Sequence, residues 1–131
     1  MGNSKGLAVG IQHHGKLDGR RVLVVEDEPL VAIDYCNQLC DEGAEVVGPF
    51  NRAGQALAFL AKAHVDVAVV DFALADRNSE ALQGALERLG IPYVVVTGYP
   101  RVLVRRDESQ NVLAKPVSPE KLCTAVISAC G

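Results

Sequence analysis

The sequence predicts an α/β fold, a doubly wound five-stranded parallel sheet with helices on both faces. Three observations predict it. Short valine-rich runs recur along the chain and read as strands buried on both faces. Segments with helical spacing separate them, so strand and helix alternate five times, which calls for parallel strands joined by right-handed crossovers. Each of the runs 21–26, 65–71, 91–97 and 111–114 ends on, or just before, a residue able to do chemistry: Glu26, Asp71, Thr97 and Lys115. In open α/β sheets such residues gather at the carboxyl edge.

The run around which the chain is organised is 65–71, VDVAVVD. Five of its seven residues are apolar, four of them valine, and it stops on a carboxylate. Read alone, Asp71 is equally a turn residue or a helix cap leaving a strand. The other elements decide between these readings.

Residues 1–19 are polar and glycine-rich without periodicity, and read as a flexible arm or linker before a domain of residues 20–131. His13 and His14 lie in this arm as solvent-exposed residues. The first strand, 21–26 (RVLVVE), runs into Glu26, Asp27 and Glu28. Pro29 suits the first turn of a helix whose stripe is Leu30, Ile33 and Leu39 and whose end is Gly43. Three successive acids are ordinarily a solvated surface, but here they close a buried strand. Residues 45–49 form the second strand, and Asn51 is placed to cap a helix bearing Ala56, Leu57, Leu60 and Ala61. After the third strand, Asn78 or Ser79 caps a helix with Leu82, Leu86 and Leu89, closed by Gly90. Residues 91–97 (IPYVVVT) are the fourth strand and 111–114 (NVLA) the fifth. The stretch between them, broken by Pro100, has room for a short helix at most. Ser118, Pro119 and Glu120 open the last helix as cap, first-turn proline and first-turn acid, with Leu122, Val126 and Ile127 as its stripe. The order of elements supports the flavodoxin-like strand order 2-1-3-4-5.

Composition narrows the function. The 131 residues make one domain with a sizeable core. A net charge of −3 with no basic stripe speaks against direct nucleic-acid binding. No apolar run is long enough to span a bilayer, and residues 1–16 lack a secretory core. Gly2 matches a myristoylation signal without a second anchor. Four cysteines without a secretory signal fit free thiols in a reducing cytoplasm. Cys36 and Cys40 are one helical turn apart, and Cys123 and Cys130 lie on the last helix, on the same side of the sheet. A zinc or redox site is open to them geometrically, but small packed thiols are far commoner. His64 is a surface loop residue.

Glu26, Asp27, Asp71, Thr97 and Lys115 fall along one sheet edge. Crowded acids repel unless a cation shares the site. Hard carboxylate oxygens suit Mg²⁺, a lysine offers a point charge to a phosphoryl oxygen, and a threonine hydroxyl donates to another. Together they make a phosphoryl-accepting site with an aspartate nucleophile.

VLVVEDEP, VAVVDFALAD, VVVTG and LAKP, in this order and on these strands, resemble the receiver domain of two-component response regulators over residues 20–130. The resemblance implies that Asp71 accepts a phosphoryl group from the phosphohistidine of a sensor histidine kinase or phosphotransfer protein. It also implies that Glu26 and Asp27 hold Mg²⁺ with Asp71 and the backbone carbonyl of Ala73. Thr97 is then the switch hydroxyl, Lys115 the phosphate-binding lysine, and the bond to Pro116 cis. A downstream protein partner reads the signal, and a homodimer is open to such domains. Three features depart from the pattern. Ala73 has no polar side chain, Val112 stands where relatives often carry a switch aromatic, and the segment between Thr97 and Lys115 is short. Tyr99, in a TGY motif, is the substitute aromatic, and the motif with the short fourth helix resembles a subgroup of alphaproteobacterial type. No DNA-binding output domain is expected within residues 1–131, and a stand-alone regulator, a piece of a hybrid kinase and a phosphate sink all fit. An aspartate-nucleophile phosphatase usually has a second acid at the position of Ala73, which argues against turnover. A flavin binder lacks its phosphate-cradling loop here, because acids follow the first strand.

Overall fold

The computed structural model describes residues 15–71, 79–98 and 112–131. Among these, five strands form one parallel sheet: β1 (Arg21–Val25), β2 (Glu45–Phe50), β3 (Val67–Asp71), β4 (Tyr93–Thr97) and β5 (Val112–Ala114). Helices α1 (Pro29–Asp41), α2 (Ala53–Leu60), α3 (Ser79–Arg88) and α4 (Pro119–Cys130) pack around it. The strand order is β2-β1-β3-β4-β5, with every neighbouring pair parallel. This is the expected order 2-1-3-4-5.

The two-residue period of the strands divides the core in two. Val22, Val24, Val67 and Val69 face α1 and α4, where they meet Tyr35, Leu39, Leu122 and Val126. Leu23, Val25, Ala68 and Val70 face α2 and α3, where they meet Ala56, Leu60, Leu82 and Leu86. β3 is buried at all five positions, as its unbroken apolar run requires. Pro119 and the Ser118 hydroxyl, which accepts from Lys121 N at 3.1 Å, start α4 as the sequence indicates. α1 stops before Gly43, whose φ of +93° is open to glycine and whose missing Cβ leaves room for the Asp18 side chain.

Five expectations are corrected. Leu30 and Ile33 do not face the core: they are 78% and 50% exposed, and α1 buries Ala32, Tyr35 and Leu39 instead. The helix is rotated so that a small residue and a polar-tipped aromatic take the inner face. Leu89 is likewise exposed, lying just past the end of α3. Asn51 does not cap α2; Arg52 holds that position without a side-chain hydrogen bond. Residues 15–19 are not a loose arm. Leu17 is fully buried in the α1/α4 core, its N–H donates to Glu42 O at 2.9 Å, and Lys16 N–H donates to Glu42 Oε1 at 3.0 Å. The packed body therefore reaches at least to Gly15. The strands are also slightly shorter than the apolar runs, because Val65 and Ile91 are buried in the turns that lead into β3 and β4. Residues 1–14, the proposed cap Asn78 and the segment 99–111 lie outside the described residues.

Candidate functional site

Parallel register carries the chemistry to one edge. Val25 pairs with Val70, so Glu26 leaves β1 beside Asp71 at the end of β3. Asp71 pairs with Val96 and Thr97 with Ala114, which brings the next two strand ends into line. Glu26 is held at its main chain as well. The edge strand β2 breaks register around Gly48 and the cis bond to Pro49, and Phe50 O beyond the irregularity accepts from Glu26 N at 2.9 Å. A proline is tolerated there because an edge strand has one unpaired side.

Glu26, Asp71 and Thr97 are buried polar residues, while Asp27 is half-buried. One carboxylate oxygen from each of Glu26, Asp27 and Asp71 lies within 4.8 Å of the others. Among the described residues no other group of three acids, histidines or cysteines converges in this way. Lys115 bridges the cluster: its Nζ is 3.2 Å from Asp71 Oδ2 and 3.4 Å from Glu26 Oε2. Its main chain is tied to the sheet, with Lys115 N donating to Thr97 O at 2.9 Å. The peptide bond from Lys115 to Pro116 is cis. Glu28 N–H donates to Glu26 Oε2 at 3.1 Å, so the acid pair is folded back over its own turn.

The crowding shows in the titration of these groups. Burial first, and then the Asp71 charge, push the Glu26 carboxyl up to about 7. Burial and Asp71 also raise Asp27. Burial would lower Lys115, but the Asp71 and Glu26 carboxylates outweigh it and raise the ammonium, keeping it charged. Tyr35, which no motif singles out, sits in the core under this edge, with a phenol pushed up to about 12 by burial and then by Glu26. The only signal for it was its place on the buried face of α1, one turn after Ala32. The donor set suits a small hard cation: three carboxylate oxygens lie close together, with the Lys115 ammonium as their counter-charge among the described residues.

Of the sequence-chosen residues, the fold brings together Glu26, Asp27, Asp71 and Lys115, with Thr97 at the adjoining strand end. Ala73 and Tyr99 lie outside the described residues. Among the described residues the cysteines join no group of converging ligands: all four thiols are free, Cys123 is buried and Cys40 exposed. Burial, and then Cys40, push the Cys36 thiol up to about 11, away from a reactive thiolate. His64 is a surface residue, 3.5 Å from Asp66.

An acid cluster with a bridging lysine at the carboxyl edge of such a sheet defines a class of protein, and residues 22–127 match the response regulator receiver domain. The chain belongs to that family. It is similar to the phyllosphere-induced regulator PhyR of Methylorubrum extorquens, 30% identical over 112 residues, which cover 82% of this chain and 42% of that protein. It is also similar to the transcriptional regulatory protein PdtaR of Mycobacterium tuberculosis, 36% identical over 104 residues, covering 76% of this chain and 50% of that one. The chain thus spans about half the length of the curated relatives it matches. The solution structure of the PhyR receiver domain of Erythrobacter litoralis superposes with a TM-score of 0.74 at 26% identity, over 86% of this chain and 90% of that one. The chain is accordingly a receiver domain of two-component signalling, a signalling module, and no described helix is long and apolar enough to cross a membrane.

Proposed function

We propose that Asp71 is the phosphoacceptor of this receiver domain and that Glu26, Asp27 and Asp71, with the backbone carbonyl of Ala73, hold Mg²⁺. The observation that carries this reading is the convergence of the three carboxylates with the Lys115 ammonium 3.2 Å from Asp71. An Asp71 oxygen attacks the phosphorus of a phosphohistidine on a kinase or phosphotransfer protein. The P–N bond breaks, and the imidazole nitrogen keeps the electron pair and takes a proton from solvent. Lys115 exchanges its carboxylate partners for a phosphoryl oxygen, and the Thr97 hydroxyl donates to another. Mg²⁺ held by Glu26, Asp27 and Asp71 would supply positive charge to offset the charge gathering on the phosphoryl oxygens.

The signal passes to a protein partner, consistent with relatives that are named as regulators. It does so through the segment 98–110, with Tyr99 as the aromatic that follows Thr97. No turnover of other substrates is expected, and the site works in the cytoplasm. Incubation with a phosphorylated histidine phosphotransfer protein and Mg²⁺ tests the reading. Acid-labile, hydroxylamine-sensitive label should pass to the chain, and should not pass to Asp71→Asn. Equal labelling of that variant would remove Asp71 from its role.

A further inference from the structure

A groove of about 420 Å³ opens beside the acidic cluster, between the first turns of α1 and the loop that enters α2. Glu26 and Asp27 belong to its wall, so it is continuous with the carboxylates described above. Most of the remaining wall is apolar, including Pro29, Ala32 and Phe50. The exceptions are two carboxamides, Asn51 and Gln55. Both are exposed, and neither makes a hydrogen bond with another described residue. Asn51 is free to face the groove because it does not cap α2.

We propose that Asn51 and Gln55 are outer-shell residues of the cation site, their carboxamide oxygens accepting hydrogen bonds from waters that Mg²⁺ retains. The inference rests on the reading of Glu26, Asp27 and Asp71 as the site of that ion. Mg²⁺ sheds its hydration reluctantly and usually keeps several waters when few protein ligands are offered. Those waters are strong donors and need acceptors on the side facing away from the carboxylates. An apolar wall offers them no fixed acceptor and leaves them to exchangeable bulk water, whereas a carboxamide on the wall holds them in place. The groove has room for several waters of about 30 Å³ each. Among its wall residues, the carboxamides of Asn51 and Gln55 are the neutral side-chain acceptors. These are positioning residues: they orient the hydrated ion and touch neither the phosphoryl group nor the nucleophile.

Calorimetric titration of Mg²⁺ into the full 131-residue chain tests this, with no phosphodonor present. The Asn51→Ala, Gln55→Leu double variant should bind Mg²⁺ about tenfold more weakly, the lower end of the usual outer-shell effect. Gln55→Glu, which keeps an acceptor, should bind at least as tightly as the unaltered chain. The metal-free unfolding temperature should be the same for all, because both side chains are exposed. Unchanged affinity in the double variant overturns the proposal and leaves the acidic site standing. A loss of affinity matched by a fall in metal-free unfolding temperature also overturns it, because the side chains would then be holding the loop. A flat titration of the unaltered chain instead overturns the acidic site itself, and the outer shell with it.

Discussion

Replacing Glu26 by glutamine should make the metal-free domain more stable at alkaline pH. Glu26 is only 3% exposed, and its carboxyl is pushed from the ordinary 4.5 to about 7 by burial and by Asp71. The folded state therefore holds this proton more tightly than the unfolded chain. The associated stability is fully present below pH 4.5 and is lost as pH rises through about 7. The gap between the two values corresponds to roughly 3 kcal/mol as an upper figure. Glutamine keeps an oxygen for Glu28 N–H and removes the charge, but it also deprives Lys115 of one carboxylate. That loss offsets part of the gain, leaving about 2 kcal/mol at pH 8 and little at pH 4.5. Urea unfolding in a chelator at half-unit steps from pH 4.5 to 8 measures it. The unaltered chain should lose stability across that window, and Glu26→Gln should flatten the loss. Parallel pH profiles, or a variant less stable at pH 8, would refute the burial-and-repulsion account of this edge.

Three further outcomes follow from the same geometry. Mg²⁺ at a hundredfold excess over its dissociation constant should stabilise the chain by about 2.7 kcal/mol, and a Glu26→Gln, Asp27→Asn double variant should lose that response in thermal melts. On α1, Leu39→Ala should cost about 2–5 kcal/mol, whereas Leu30→Ala should stay within about 0.5 kcal/mol, a contrast that denaturant melts resolve directly. Leu17→Ala should also cost about 2–5 kcal/mol, although the residue lies in a stretch whose sequence looks like a linker, and a neutral result would place that stretch outside the core.

The sheet and its edge were legible because two strong signals coincided. Runs such as VDVAVVD can only be satisfied by burial on both faces, and their period fixes which residue emerges at the end. Hence the strand ends alone place Glu26, Asp71 and Lys115 together. The face of α1 was not legible. Leu30 and Ile33 outweigh Ala32 and Tyr35 on any hydrophobic scale, yet the helix turns Ala32, Tyr35 and Leu39 inward, with Tyr35 and Leu39 in the same core cluster as Val22 and Val24. Leu17 was missed because a single apolar residue among glycines and charges carries no periodicity. Its burial depends on Glu42 and Leu39, which are distant in the chain. Asn51 had the chemistry of a cap, but capping is decided by backbone angles, and the helix begins one residue too late for it.

The claim at the centre of this account is that one carboxylate, Asp71, takes the phosphoryl group. Treatment with acetyl phosphate and Mg²⁺, followed by borohydride reduction and peptide mass spectrometry, reads the modified position directly. The account predicts reduction to homoserine at residue 71 alone, dependent on Mg²⁺ and lost when Lys115 is replaced by methionine. Modification at Glu26 or Asp27 with residue 71 unchanged would contradict it.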